Sequence, residues 1–281
     1  MKILVTGGSG FLGTHLVKFF EADNFSRRSN LDILNMQDVS TVENYDVVIH
    51  LAAFLDKSPE NAEECFLTNV EGTVNLLRAV KEDSVFIFAS TKDVYGLWAD
   101  NFEEVPERCL TDYCGQSPLE WSKLIAEKYV EFYGRQNNFR TCIFRLSTIY
   151  APLSAGNEPN FVTHYLDAIN VGETIILPEK GRPKRDFLHV EDFALACQAF
   201  INSDITRGLY NLGGGYKNAL TLRQLVEKIE RIVGANAVID ESVITPTPIP
   251  YNYVSDISRA ENELKWKPTI SLDEGLKTLL I

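Results

Sequence analysis

The first thirteen residues, MKILVTGGSGFLG, constrain the fold more than any other stretch of the chain. Ile3-Leu4-Val5 is a short apolar run of the kind that forms a buried strand. It leads into Thr6-Gly7-Gly8-Ser9-Gly10-Phe11-Leu12-Gly13 and then into a helical pattern. Glycines at 7, 10 and 13 let the backbone turn tightly and approach a ligand with no Cβ in the way. The first turn of the following helix then offers free N–H groups, and the positive end of its dipole, to a pyrophosphate. Strand, glycine loop and helix in this order are the setting a dinucleotide fingerprint requires. A glycine-rich turn with no ligand is the plainer alternative.

Further strands and helices alternate after this loop. Asp46-Val47-Val48-Ile49-His50-Leu51-Ala52-Ala53 is a second apolar strand, and its small terminal residues suit close approach of a cofactor. Between Asn61 and Val80, Ala62, Phe66, Val70, Val74 and Leu77 recur at helical spacing. Val85 to Ala89 is a third strand, running into Ser90-Thr91. Pro118 to Gly134 is a helix with proline in its first turn and glycine at its end. Arg140 to Leu146 is a fourth strand. The alternation predicts an α/β fold, a Rossmann-type doubly wound parallel sheet. Ligands of such sheets bind at the carboxyl ends of the strands, where Gly7, Ala52, Thr91 and Ser147 fall. Beyond Pro152 the pattern loosens into helical segments near 160–170, 191–202 and 221–233. The expected division is a dinucleotide-binding domain over 1–152 and a smaller, mainly substrate-binding lobe over 153–281, with short strands returning to the main sheet.

Charge and cysteines narrow the function. A net charge of −12 on 281 residues disfavours nucleic acid or an anionic membrane as partner. No stretch is long and apolar enough to span a bilayer, and the N-terminus reads as a strand rather than a secretory leader. The five cysteines are odd in number and lack CxxC spacing, which points to reduced thiols in the cytoplasm. Cys109 and Cys114 have no histidine nearby, so no metal site is expected.

The ribose end is less regular. In dinucleotide folds an acidic residue at the end of the second strand, about 20 residues past the glycines, bonds the adenosine ribose. Asp23 follows Gly13 by only ten residues. Either the first helix is clipped and the second strand nearly absent, or Asp23 is not that residue. Arg27 and Arg28 could instead meet a 2′-phosphate, or lie in a solvated loop.

TGGSGFLG, DNFSRRS, DVVIHLAA, NVEGT, FASTKDVYG, SPLEWSK, FRLSTIYAP, GRPKRDFLHVEDFA, YNLGGG and SDISRAENELKWKP occur in the order found in extended short-chain dehydrogenases/reductases. The chain resembles that family along its whole length, and within it the NAD-dependent sugar-nucleotide epimerases and dehydratases. The resemblance implies that Gly7, Gly10, Phe11, Leu12 and Gly13 hold the pyrophosphate. Asp23 and Asn24 would be the ribose pair, which favours NAD, with NADP as the alternative. Asp32-Ile33 would border the adenine, and Leu51, Ala52 and Ala53 would run along the cofactor. Thr91 would bond the reacting sugar oxygen, and Lys123 would hold the nicotinamide ribose. Asn69, Thr148 and Arg185 would lie on the substrate side, with Arg185 on a phosphate. A homodimer is implied too, through helices 61–80 and 118–134.

One departure touches the chemistry. The family uses Tyr-x-x-x-Lys, a spacing that sets both side chains on one helix face. There the lysine charge draws the phenol toward ionisation, so that it can take a hydroxyl proton. At the tyrosine position this chain has Leu119, which transfers no proton. Tyr113 is the candidate substitute; Glu120 is adjacent but points about 100° away on the helix. Lys92-Asp93 stands where dehydratases carry Asp-Glu, which disfavours dehydration, and Lys92 reads as a surface charge. The expected activity is therefore 4-epimerisation of a nucleotide-activated sugar. The rivals are a cofactor-binding structural or regulatory protein without turnover, and an NAD(P)-dependent reductase of another small carbonyl compound.

Overall fold

A computed structural model describes residues 1–112, 117–242 and 250–280. Its strands are β1 (Ile3–Thr6), β2 (Asp23–Phe25), β3 (Val47–His50), β4 (Val85–Thr91), β5 (Arg140–Leu146), β6 (Thr148–Tyr150), β7 (Thr174–Ile176), β8 (Lys184–His189), β9 (Arg207–Leu212), β10 (Ala219–Thr221) and β11 (Val238–Asp240). Six of them form a parallel sheet in the order β2-β1-β3-β4-β5-β9. The helices are α1 (Phe11–Phe20), α2 (Met36–Val39), α3 (Ala62–Phe66), α4 (Gly72–Ala79), α5 (Pro118–Gln136), α6 (Phe161–Val171), α7 (Val190–Ile201), α8 (Leu222–Val233), α9 (Ser258–Leu264) and α10 (Leu272–Thr278). The strand order turns back between β1 and β3, so this is the doubly wound α/β arrangement, and its ligand crevice opens at that switch point.

Both faces of the sheet are covered, which is why its strands read as unbroken apolar runs. Alternation along each strand sorts the side chains. Ile3, Val5, Val47, Ile49, Val85 and Ile87 pack with Leu16 of α1, Phe193 and Phe200 of α7 and Leu264 of α9. Leu4, Val48, Phe86 and Phe88 pack on the other side with Leu76 and Leu77 of α4 and Val130 of α5. A third core joins α6, α8 and α10 to β7 and β8 through Val162, Leu166, Ile175, Phe187, Leu225, Ile229 and Leu276. Two small sheets, β10-β8-β6 and β11-β7, lie in this later half of the chain, while β9 returns to the main sheet. No helix among the described residues is long and apolar enough to cross a membrane.

Two elements differ from the sequence expectation. The helix expected over 61–80 is interrupted by a π turn, Leu67–Glu71, between α3 and α4. The first β-α-β unit is short in both of the ways its spacing allowed. α1 stops where Glu21 adopts a left-handed conformation (φ 50°), and Ala22 N bonds back to Val17 O. Only Asp23 to Phe25 then pair with β1.

A buried hydrogen-bond chain ties the π turn to the sheet. His50 Nε2 lies 2.8 Å from Thr73 Oγ1, which donates to Asn69 O at 2.6 Å. The Thr73 hydroxyl is thereby used, so its oxygen accepts from the ring and the proton sits on Nε2. Nδ1, 2.6 Å from Thr6 Oγ1, accepts in turn, and Thr6 Oγ1 takes the Ala52 amide at 3.2 Å. Burial, followed by the charge of Lys123, lowers the His50 pKa from 6.5 to about 3. The unfolded chain therefore binds this proton more readily. Stability from His50 is complete above about pH 6.5 and is lost as pH falls toward 3, by on the order of 4–5 kcal/mol in full. His50→Gln has no proton to take up. Urea unfolding of that variant should show lower stability at pH 7, by about 1–3 kcal/mol, and a shallower decline between pH 6.5 and 4.

Candidate active site

A cleft of about 500 Å³ opens along the carboxyl edge of β1, β3 and β4. At one end lies the glycine loop. Gly7 has φ +68°, and a Cβ there would lie 2.7 Å from Ala52 N, so only glycine brings the loop this close to the end of β3. A Cβ on Gly13 would fall on Gly7 O and 2.6 Å from Gly8 Cα. α1 therefore packs directly on the loop that precedes it. Its N-cap, Gly10, is extended; no side chain caps the helix, and its first turn carries no acid. The helix thus starts with amides that no side chain satisfies, facing a cleft lined by Gly7, Ser9, Gly10, Phe11, Leu12 and Gly13.

At the other end are Ala89, Ser90, Thr91, Leu119, Lys123 and Leu146. Lys123 and Leu119 sit one turn apart on α5, as a four-residue spacing requires. Leu119 is an apolar wall, 7% exposed. Lys123 Nζ donates to Ala89 O at 2.8 Å and lies 4.9 Å from the centre of the Phe88 ring. Burial brings its pKa down to about 8, partly offset by Cys65 and Glu127. Thr91 Oγ1 accepts the Asp93 amide at 3.2 Å. One turn beyond Lys123, Glu127 clasps Arg145 of β5 with bonds of 3.0 and 2.7 Å and accepts Ser90 Oγ at 2.5 Å. Burial works against the Arg145 charge, but Glu127 outweighs it and keeps the guanidinium protonated. This ion pair locks α5 to β4 and β5 and so fixes where Lys123 stands. Neither Glu127 nor Arg145 stood out in the sequence; a carboxylate four residues past the lysine was the available signal.

The middle and rim of the cleft include Leu51, Ala52, Ala53, Asp32 and Ile33, together with Ser26, Arg27, Arg28 and Thr68. Thr68 Oγ1 is buried and has no hydrogen-bond partner. Asp23 and Asn24 do not line the cleft. The register explains this: Leu4 pairs with Asp23 and Thr6 with Phe25, so Asp23 is at the amino end of β2 and the site is at the carboxyl end. Asp23 instead accepts from Tyr45 OH at 2.9 Å and lies 3.6 Å from Lys2 Nζ. Asn24 donates to Ser9 Oγ at 2.8 Å. Asn69, Thr148 and Arg185 are also outside the lining. Asn69 bonds Phe54 N at 2.7 Å, Phe54 O at 2.9 Å and Ser122 Oγ at 2.9 Å, clipping the loop after β3 to α5. Arg185 donates to the carbonyls of Lys184, Tyr251 and Pro250 at 2.7, 2.7 and 3.0 Å. Tyr113 lies outside the described residues.

A second polar cluster was missed in the sequence because its members come from three separate segments. Lys57 Nζ bridges Asp93 at 2.9 Å and Glu120 at 2.8 Å, and Asp93 also pairs with Lys92 at 2.5 Å. Ser117 Oγ donates to Glu120. Lys92 is not the surface charge its sequence context suggested. Its side chain is 12% exposed, and burial pushes its pKa down. Among the described residues no group of histidine, cysteine or acidic side chains could hold a metal.

The profile of the NAD dependent epimerase/dehydratase family matches residues 3–213. A UDP-glucuronate 4-epimerase of Thermodesulfobacterium geofontis is 28% identical, over 98% of this chain and 93% of its own. A CDP-paratose 2-epimerase of Salmonella typhi is 29% identical, over 99% and 98%. The crystal structure of a UDP-glucuronic acid 4-epimerase from Bacillus cereus, in complex with UDP-glucuronic acid and NAD, superposes with a TM-score of 0.84 at 26% identity, covering 99% of this chain and 97% of that one.

Two stability measurements check the geometry. Gly13→Ala should cost about 1–3 kcal/mol, because backbone stands where its Cβ must go; a variant as stable as the parent would contradict the packing. Lys123 has a depressed pKa, so the fold carries the burden of its charge below about pH 8 and is relieved between 8 and 10.5. Lys123→Met should therefore gain stability relative to the parent at pH 7. That advantage should shrink by about 3 kcal/mol by pH 10.5.

Proposed function

The chain belongs to the NAD dependent epimerase/dehydratase family, and from that premise we propose that it is a nucleotide-sugar 4-epimerase. One observation carries this reading. A single cleft holds the glycine loop and the uncapped start of α1 at one end, and Thr91, Leu119 and Lys123 at the other. The donor set fits a nicotinamide dinucleotide. Amides without partners at a helix start suit a pyrophosphate, and the orphaned Thr68 hydroxyl supplies a further buried polar contact. Gly7, Gly10, Phe11, Leu12 and Gly13 would hold the diphosphate, Asp32 and Ile33 the adenine side, and Leu51, Ala52 and Ala53 the length of the molecule. When bound, the dinucleotide supplies the acceptor and donor of hydride. All the residues named lie within 1–152, which supports that span as the dinucleotide-binding domain and 153–281 as mainly the substrate lobe.

In this reading the protein's own groups manage one proton. Thr91 Oγ1 bonds the reacting sugar oxygen. Among the described residues that line the cleft, the ionisable side chains are Arg27, Arg28, Asp32 and Lys123, and only Lys123 is at the reactive end. With Leu119 in the tyrosine position, Lys123 Nζ takes the hydroxyl proton and returns it. A pKa of about 8 leaves part of the amine neutral at physiological pH. Leu119 excludes water beside it. Asn69 positions α5 through Ser122 rather than meeting substrate, and Arg185 braces Pro250 and Tyr251. Thr148, which pairs with Phe187 in a small sheet, stays on the proposed substrate side.

The unpaired state of the four described cysteines supports a cytoplasmic setting. The exposed Phe66 of α3 and Trp121, Tyr129 and Phe132 of α5 support a homodimer through these helices. Leu119 itself favours a second reading, a cofactor-binding homologue that has lost turnover.

A panel of UDP-, dTDP-, CDP- and GDP-hexoses decides between the two. The first reading expects epimerisation by the native protein, with a rate that rises through about pH 8 as Lys123 loses its proton. Lys123→Met should lower the rate by on the order of 10²–10⁴ and Leu119→Tyr should raise it. Turnover only in Leu119→Tyr supports the second reading, and turnover in neither removes both sugar assignments. Loss in Tyr113→Phe, with Lys123→Met still active, moves the proton to Tyr113.

A further inference from the structure

We propose that Lys57 is a positioning residue, an ionic staple that fastens together the three segments on which the reactive end of the cleft is built. Its bearing on catalysis rests on the reading of the cleft as a nucleotide-sugar site. Each segment brings one residue to the lining. Leu55 comes from the loop after β3, Thr91 from the end of β4 and Leu119 from the first turn of α5. The sheet does not hold these three together. Pairing of β3 with β4 ends at His50 and Phe88, and α5 lies outside the ladder.

Lys57 stands two residues past Leu55, and its Nζ reaches the other two segments at once, Asp93 Oδ2 at 2.9 Å and Glu120 Oε1 at 2.8 Å. Glu120 follows Leu119 directly. Asp93 is two residues past Thr91, and its backbone amide donates to Thr91 Oγ1 at 3.2 Å. That bond occupies one lone pair of the Thr91 hydroxyl and leaves its O–H free for the reacting sugar oxygen. Holding Asp93 therefore holds the Thr91 side chain. The loop after β3 is pinned to α5 a second time, since Asn69 bonds both Phe54 and Ser122.

An ion pair in open solvent would contribute little. Lys57 is half-exposed, but its two acids are out of water: Glu120 is fully buried and the Asp93 side chain is 18% exposed. Their attraction to the ammonium is weakly screened. Among the described residues Glu120 Oε1 has no partner other than Lys57, and Oε2 accepts from Ser117 Oγ at the head of the same helix. Asp93 has Lys92 as a second cation, so two ammonium groups balance two carboxylates. Burial disfavours the Lys57 charge, but Asp93 and Glu120 outweigh it and keep the amine protonated. Without Lys57, a buried carboxylate is left unpaired in the turn that carries Leu119.

Amide hydrogen exchange of the native protein, Lys57→Met and Lys57→Arg, with kcat and KM on the hexose panel, tests this. Lys57→Met should exchange faster by about tenfold or more at Asp93 and at Trp121 and Ser122, whose amides close the first turn of α5, with α7 unchanged. In an active protein kcat should fall about 10–100-fold while KM changes by less than about threefold. Lys57→Arg keeps the charge and should restore both exchange and kcat. If Lys57→Met does not fold, Glu120→Gln removes the same arm without stranding a charge and should still speed exchange at Trp121 and Ser122. Unchanged exchange at these amides, faster exchange that extends equally to α7, or an unchanged kcat overturns the proposal. A native protein without turnover counts against the epimerase reading alone, and the exchange pattern still decides whether Lys57 holds the three segments.

Discussion

The fold depends on one close contact. Gly13 and Gly7 let the first helix rest on its own preceding loop, and that contact leaves no room for a single methyl group. Because α1 starts there, its unsatisfied amides point into the crevice between β1 and β3 rather than into solvent or a capping side chain. Gly7 makes the corresponding approach to Ala52 at the end of β3. The Thr6–His50–Thr73 chain then holds β1, β3 and the π turn in register beneath the loop. A buried polar chain of this kind tolerates little slippage, since each broken bond leaves a donor or acceptor without water.

The reactive end is built on the opposite principle. There a charge is taken out of water and held by packing. Lys123 keeps one hydrogen bond and one aromatic face, and the Glu127–Arg145 pair one turn away ties its helix to β5. A buried pair of this kind fixes geometry more than it adds stability. Burial of Lys123 leaves an amine whose protonation is poised near physiological pH beside an apolar Leu119, and the other ionisable groups among the described lining residues belong to the far rim.

Much of this was legible in the residues. The glycine loop, the four central parallel strands β1, β3, β4 and β5 and the α5 helix are set by local rules of turn geometry and apolar periodicity, and they stand where those rules put them. The cleft-lining positions Gly7, Ala52 and Thr91 followed from the ends of the strands, and Leu51, Ala53 and Lys123 from the resemblance to the family. The ribose end did not follow. Asp23 looked like the right residue type, but its register with Leu4, a property of strand pairing, puts it at the wrong end of β2. Arg185 and Asn69 likewise had suitable chemistry, yet Arg185 donates to Pro250 O, 65 residues away, and Asn69 Nδ2 to Phe54 O, 15 residues away. The Lys57–Glu120–Asp93 cluster draws on three segments and has no local signature at all.

The central claim is that a dinucleotide diphosphate rests on the opening turn of α1. Amide hydrogen exchange across residues 7–14, with and without saturating dinucleotide, measures this directly. Slowed exchange at Phe11 to Gly13 on binding is the predicted result. Exchange there that is unchanged while the ligand is demonstrably bound would place the ligand elsewhere and contradict the account.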